Sequence, residues 1–325
     1  MINRRGFLKA SVSGGALILA PRSALNLLSE QHWPAISAPH LEPARGEQLI
    51  TILHTNDTHS QIDPLPANDG QYPGMGGVSR RATLVKRVRK ENPNTLMIDA
   101  GDVFQGTPYF NFYKGEVEYR SMSLIGYDVV TLGNHDFDNG VDALAAAMKF
   151  ANFEFVSCNY DVSGTPLVAR VKPYVVHVMR GVRVGLFGMG VSPDNLITPQ
   201  NFKGVKYNDP VKAARDVVNI LRERERCALV IGMSHLGYYA NPRDGAIGDS
   251  QVAAQVDGID FIASGHTHTF MKEPVITRTP SGGSTIIFQV GRSGIYLGRV
   301  DLRVRNGKVV ASAGRLLDLR DEALG

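Results

Sequence analysis

Short apolar runs alternate with helical patterns through most of the chain. Runs at residues 49–54, 95–99, 128–132, 153–157, 182–187, 228–233, 259–263, 285–290 and 296–304 have strand length and aliphatic content. Between them, residues 77–91, 141–152 and 210–226 read as helices. In the first of these, Val78, Ala82, Val85 and Val88 or Arg89 recur at three-to-four spacing. Before the last, Asp209 is placed to N-cap and Pro210 occupies the first helical position. Alternation of this kind predicts an α/β architecture. The closing stretch from residue 281 is strand-rich with glycine turns and reads as antiparallel.

The residues just past the apolar runs carry the chemistry. "LITILH" leads into "TNDTH", with Asp57 and His59, and "TLMID" leads into "AGD", with Asp102. "DVVTL" leads into "GNHD", with Asn134, His135 and Asp136. "ALVIGM" leads into "SHLG", with His235, and "IDFIAS" into "GHTH", with His266 and His268. Sites in open α/β sheets lie beyond the carboxyl ends of the strands, so five such ends can converge. One D-x-H or H-x-H pair alone is ordinary loop chemistry. Here five of the nine histidines stand at strand ends and bring two aspartates and an asparagine with them.

Asp57, His59, Asp102, Asn134, His235, His266 and His268 make seven oxygen or nitrogen ligands. If one carboxylate bridges two ions through its two oxygens, these give about four bonds per ion and leave room for water or substrate. Imidazole with carboxylate suits divalent ions such as Mn, Zn, Fe, Co or Mg. Two ions about 3.5–4 Å apart clamp an in-line phosphoryl displacement, and a hydroxide shared between them is a nucleophile at neutral pH.

Composition narrows the alternatives. With 325 residues, 43% of them hydrophobic, the chain can form one large or two medium domains. It opens with "NRRGFLKASVSGGALILAP", in which Arg4 and Arg5 precede an apolar run too short to span a bilayer. This is the pattern of a twin-arginine export signal over residues 1–28, which places the protein in the periplasm or otherwise outside the cytoplasm. Residues 29–47, with Pro34, Pro39 and Pro43, read as a linker. The first 28 residues hold four of the 35 Lys and Arg and no acid, leaving 31 bases against 31 acids. No nucleic-acid or membrane patch is therefore implied. Residues 222–226 mix charges and read as a solvated helix face. Cys158 and Cys227 border apolar runs and form no CxxC, so they read as buried small hydrophobes. "GLFGMG" has the order GxxGxG, and neither a P-loop nor a GxSxG elbow occurs. His54 and His177 read as strand residues, and Asp99 as a loop cap.

The series D-x-H, GD, GNH[DE], H and GH-x-H resembles the signature of the calcineurin-like metallophosphoesterases. The strings "ILHTNDTHS", "GMGGVSRRATLVKRVR", "DAGDVFQGTPYFNFYKG" and "LGNHDFDNG" are similar to their 5′-nucleotidase branch, over about residues 49–305. The resemblance implies a four-layer αββα sandwich over residues 48–318, with a tail at 319–325 and a dinuclear metal site at the carboxyl ends of the strands. It implies one ion held by Asp57, His59, Asp102 and His268, and the other by Asp102, Asn134, His235 and His266, with Asp102 bridging. His135 resembles the family's catalytic histidine and, with Asn134, would contact substrate; Asp136 resembles the partner that orients its ring. The implied activity is a dimetal phosphomonoesterase acting on a small phosphoester, nucleotides foremost. The family's 5′-nucleotidases carry a C-terminal nucleotide-binding domain, expected here to be absent or separately encoded. The aromatic segment of Phe104, Tyr109, Phe110, Phe112 and Tyr113 is then either a loose recognition element or core packing. Two alternatives share the scaffold: an exported sulfate-thioester hydrolase, and a metal-stabilised subunit needing a separate substrate-binding chain.

Overall fold

A computed structural model describes residues 41–239 and 247–322. The predicted export signal and most of the predicted linker lie outside the described residues. The strands are β1 (Gln48–Thr55), β2 (Thr95–Asp99), β3 (Val129–Thr131), β4 (Glu154–Val156), β5 (Tyr160–Asp161), β6 (Val171–Lys172), β7 (Tyr174–Met179) and β8 (Val182–Gly190). They continue with β9 (Lys206–Tyr207), β10 (Leu229–His235), β11 (Phe261–Ser264), β12 (Val275–Arg278), β13 (Ser284–Phe288), β14 (Tyr296–Arg305) and β15 (Lys308–Asp318). The principal helices are α1 (Val78–Glu91), α2 (Pro108–Tyr113), α3 (Glu116–Ile125), α4 (Val141–Ala147), α5 (Pro210–Asn219) and α6 (Asp249–Gln255).

One sheet has the order β15-β14-β1-β2-β3-β4-β6, and the other the order β12-β13-β11-β10-β8-β7. The period of two along each strand divides the side chains between two cores. On β1, Ile50 and Ile52 face the other sheet while Leu53 faces the helices; on β2, Leu96 and Ile98 oppose Met97 in the same way. The inter-sheet core joins these residues to Leu186, Ile231, Phe261 and Phe288. A second core packs Leu84, Val85 and Val88 of α1 and Tyr119 of α3 onto the first sheet. A third packs Ala214 and Val218 of α5 and Val252 of α6 onto the other. Three cores make four layers, αββα. Each fully buried aliphatic side chain contributes about 1.5–3 kcal/mol, so burial between layers carries the fold.

The expected caps hold: Asp209 Oδ1 accepts from Lys212 N–H at 2.7 Å, and Pro210 opens α5. Two helices are shorter than expected. After α4 the chain tightens into a 3₁₀ turn, Met148–Phe150, and after α5 it widens into a π turn, Ile220–Arg224. Arg222 is more than a solvated charge: its guanidinium donates to the Gly258, Cys227 and Ala228 carbonyls and pairs with Asp260 at 2.6 Å. The closing stretch is mixed, since β13 runs parallel to β11 although β12–β13 and β14–β15 are antiparallel. Both cysteines are unpaired. "GLFGMG" lies inside β8, which removes it as a phosphate loop.

Candidate metal centre

The five predicted strand ends meet at one rim, three from one sheet and two from the other. β1, β2 and β3 lead to Asp57, His59, Asp102 and Asn134; β10 ends on His235, and β11 leads to His266 and His268. Asp57, His59, Asp102, His266 and His268 all have positive φ, between 47° and 74°. Left-handed backbone is uncommon outside glycine and gathers where surrounding structure holds it for function. Two glycines permit the close approach. A Cβ on Gly133 would run into Asp102 Oδ1, and one on Gly265 would lie 3.0 Å from His235 Nδ1 and 3.2 Å from Asp57 Oδ2.

The donors form two groups, Asp57–His59–His268 and Asp102–His235–His266, each with its ligand atoms within 4.8 Å of one another. In the first, Nε2 of His59 and of His268 are 3.0 Å apart, and His268 Nε2 is 3.3 Å from Asp57 Oδ1. In the second, His235 Nε2 lies 3.0 Å from Asp102 Oδ2. Two histidines are oriented from behind. His235 Nδ1 donates to the Ala100 carbonyl at 2.7 Å and His59 Nδ1 to the Phe104 carbonyl at 3.2 Å, so each turns Nε2 inward. Backbone also holds each carboxylate: His266 N–H donates to Asp57 Oδ2 at 2.9 Å and Oδ1 at 3.1 Å, and His135 N–H to Asp102 Oδ1 at 2.8 Å.

The two oxygens of Asp102 are placed differently: Oδ1 accepts from His135 N–H, while Oδ2 lies 3.0 Å from His235 Nε2 and 4.0 Å from His59 Nε2, between the two groups. Asp57 Oδ1 is also central, 3.9 Å from Nε2 of both His59 and His235. Asn134 is buried and its Oδ1 has no hydrogen-bond partner. An orphaned buried amide oxygen costs about 1–3 kcal/mol, which a cation would offset. Burial opposes a charge on His235, but the Asp102 and Asp57 carboxylates outweigh it and push its pKa up to about 10. Burial likewise opposes charge on Asp102, yet the neighbouring histidines hold it well below the carboxylate range. Paired, buried acids with inward lone pairs fit divalent cations.

His135 stands beside this centre, half-buried, but Asp136 is not its partner. The Asp136 carboxylate accepts four backbone N–H bonds, from Gly133 at 2.8 Å, Val103 at 3.0 Å, Asp102 at 3.1 Å and Phe104 at 3.2 Å. It holds the Asp102 and Asn134 loops together. Burial pushes its pKa up to about 7, with the Asp102 charge acting in the same direction and the N–H bonds against it. Asp138 holds the ring instead, its Oδ2 accepting from His135 Nδ1 at 3.0 Å. The reason is local: His135–Phe137 is a 3₁₀ turn, which eclipses side chains three residues apart. An H-x-x-D spacing was the available signal.

Two further positioning residues are not singled out by the sequence, although one of them, Asn56, lies inside the "TNDTH" string. Asn56 Nδ2 donates to Asp57 Oδ2 and to the Gly291 carbonyl, both at 2.6 Å. Buried Gln289 donates to Ser264 Oγ at 2.7 Å and the Gly265 carbonyl at 2.8 Å, and accepts from Thr267 Oγ1 and Thr269 N–H. It thereby organises the His266–His268 loop. The bland readings hold for three residues. Asp99 Oδ1 accepts from Gly101 N–H at 2.8 Å, His54 is sealed between Phe261 and Phe288, and His177 pairs with Glu154 at 2.9 Å. The aromatic segment divides: Phe104 and Phe110 stack in the core with centroids 5.1 Å apart, while Phe112 and Tyr113 on α2 are exposed. Above the centre opens a cleft of about 560 Å³ whose floor includes His59, His135 and His268.

Comparison with known proteins agrees with this geometry. The calcineurin-like phosphoesterase family model matches residues 50–270. The trifunctional nucleotide phosphoesterase protein YfkN of Bacillus subtilis is 30% identical over 292 residues, covering 80% of this chain and 18% of that protein. Human 5′-nucleotidase is 31% identical over 297 residues, covering 84% of this chain and 50% of the relative. A crystal structure of a 5′-nucleotidase precursor from Thermus thermophilus superposes with a TM-score of 0.73 at 32% identity, covering 83% of this chain and 54% of that one. The chain thus spans about half the length of the 5′-nucleotidases it matches. With its four layers, its converging strand ends and a family match over most of its length, the chain belongs to the calcineurin-like phosphoesterases.

Proposed function

We propose that the chain is a dimetal phosphomonoesterase of 5′-nucleotidase type, acting on small phosphoesters with nucleotides among them. The observation that carries this reading is the convergence of two three-residue donor groups on one rim, with the orphaned Asn134 oxygen beside them and His135 at the cleft. Asp57, His59 and His268 would hold one ion, and His235, His266 and Asn134 the other, with Asp102 between them as the shared ligand. When bound, two such ions supply a Lewis-acid clamp on phosphoryl oxygens and an activated water.

The remaining work falls to the chain's own groups. Asn134 is a neutral ligand, which keeps the site's negative charge low enough to admit a phosphate dianion. His135 has its Nδ1–H bound to Asp138, so Nε2 is the nitrogen turned to substrate. The Asp138 hydrogen bond raises its pKa, outweighing burial, which favours a proton on the ring for delivery to the leaving oxygen. Asp136 keeps the loops of Asp102 and Asn134 in register and touches no substrate. Hydrolysis yields an alcohol and inorganic phosphate. The twin-arginine pattern supports export to the periplasm, and among the described residues no helix is long and apolar enough to cross a membrane.

Protein reconstituted with Mn²⁺ or Zn²⁺ is expected to hydrolyse 4-nitrophenyl phosphate, and EDTA to abolish the activity. Fully metallated protein inert toward a panel of phosphoesters would overturn the reading.

A further inference from the structure

The cleft has a cationic element that the reaction as described does not use. Beyond its histidine floor, its outer wall is formed by Asp69, Gln71, Tyr72 and Arg292, and among the described residues Arg292 is the only arginine or lysine that lines it. The Arg292 side chain is exposed, and no hydrogen bond or ion pair among the described residues engages its guanidinium. Asp69 and Tyr72 feel its charge. Asp69 Oδ1 accepts from the N–H groups of Gln71 at 2.9 Å and Tyr72 at 2.6 Å, which fixes the carboxylate to its own loop.

The root of Arg292 is fastened to the metal centre. Gly291 O accepts from Asn56 Nδ2 at 2.6 Å, Val290 N–H donates to Asn56 Oδ1 at 3.1 Å, and Ser293 N–H donates to the Asp57 carbonyl at 2.7 Å. Gly291, Ser293 and Gly294 all have positive φ, which shapes the loop around Arg292. Phe270 packs against Gly291 and stacks on Tyr72 with centroids 5.2 Å apart, joining the loop to the wall. An uncommitted guanidinium on an anchored loop, at the wall of a cleft with no other Lys or Arg among the described residues, presents a planar fork of N–H donors that matches two oxygens of a phosphate. The reacting phosphoryl group belongs at the floor with His135. The wall therefore meets another part of the substrate.

We propose that Arg292 binds a second, non-reacting phosphate of the substrate, so that the cleft selects phosphomonoesters carrying two phosphates over those carrying one. This rests on the phosphoesterase reading above. The test compares adenosine 3′,5′-bisphosphate with adenosine 5′-monophosphate on the metal-loaded protein. The wild type is expected to favour the bisphosphate in kcat/KM. Arg292→Met is expected to lower the bisphosphate-to-monophosphate ratio about tenfold, and Arg292→Lys to recover part of it through charge without the fork. A wild-type ratio below one overturns the proposal. So does a ratio in Arg292→Met within about twofold of wild type, including the case in which both substrates fall together. If the wild type turns over neither nucleotide nor 4-nitrophenyl phosphate, the phosphoesterase reading fails separately. Calorimetric affinities for the same two nucleotides then decide the role of Arg292 by the same ratio.

Discussion

The floor of the cleft and its outer wall are built in opposite ways. On the floor, the donors are largely buried, five stand on left-handed backbone, and His59 and His235 are locked through Nδ1. On the wall, Gln71, Gln105 and Arg292 are exposed side chains on loops from three separate segments. Reacting groups require placement to a fraction of an ångström, so the floor accepts backbone strain and buried charge to achieve it. Recognition of a variable leaving group tolerates looser placement. A change on the floor should therefore cost every substrate equally, and a change on the wall should shift preference between substrates.

The largest effect is expected from His235→Ala. The imidazole is fully buried between Ala100 and Asp102, and no neighbour can replace its nitrogen. Loss of a residue that merely orients a metal ligand already costs about 10–100-fold in metal affinity or activity, so loss of a ligand should cost at least about a hundredfold for all phosphoesters. Elemental analysis of the purified variant checks the cause: full metal content would break the assignment of the floor.

Next comes Asp136→Ala, which separates scaffold from chemistry within the floor. Removing the carboxylate strands four backbone N–H groups. Stability should fall by at least about 3 kcal/mol, read as a lower denaturation midpoint. A midpoint unchanged from wild type would return Asp136 to the catalytic role expected from the sequence.

Asp138→Asn is milder and acts on turnover. With metal content retained, kcat should fall by about tenfold as His135 loses its charged anchor. The sign of the pH effect follows from the same bond. Asp138 raises the His135 pKa, so His135 keeps its proton to higher pH in the wild type. The alkaline limb of the kcat profile should move to lower pH in the variant. A limb that stays in place means that another group titrates there.

The same contrast explains what could be read in advance. Each donor on the floor lies within four residues of a strand end, so periodicity and residue type sufficed to find it. The choice between Asp136 and Asp138 turned on a three-residue 3₁₀ turn, a conformation that composition does not announce. Gln289 and Asn56 escaped because their partners, apart from neighbouring Asp57, lie more than 15 residues away, and neither residue type is diagnostic. The wall was illegible for the same reason: it exists only once residues near 61–72, 105 and 292 are folded together. The α/β class was legible from the alternation of apolar runs and helical patterns, and the four layers from the family resemblance. Strand order, such as β14 lying between β15 and β1, depends on non-local pairing such as Thr51 with Asp301.

The smallest effect is expected from Phe112→Ser and Tyr113→Ser, and it bounds the wall from outside. These two aromatics belong to the segment that the sequence offers as either a loose recognition element or core packing. Helix α2 points them elsewhere: Phe104 and Phe110 turn inward to the core, while Phe112 is 79% exposed and Tyr113 54% exposed, and neither lines the cleft. An exposed aromatic with no buried contact contributes little, so each change should alter stability by less than about 0.5 kcal/mol. Turnover of adenosine 5′-monophosphate should stay within about twofold of wild type. A rise in KM of about tenfold in either variant would show that substrate extends past the rim onto α2. The wall would then have to be redrawn to include that helix, and Arg292 would no longer stand at the outer limit of recognition.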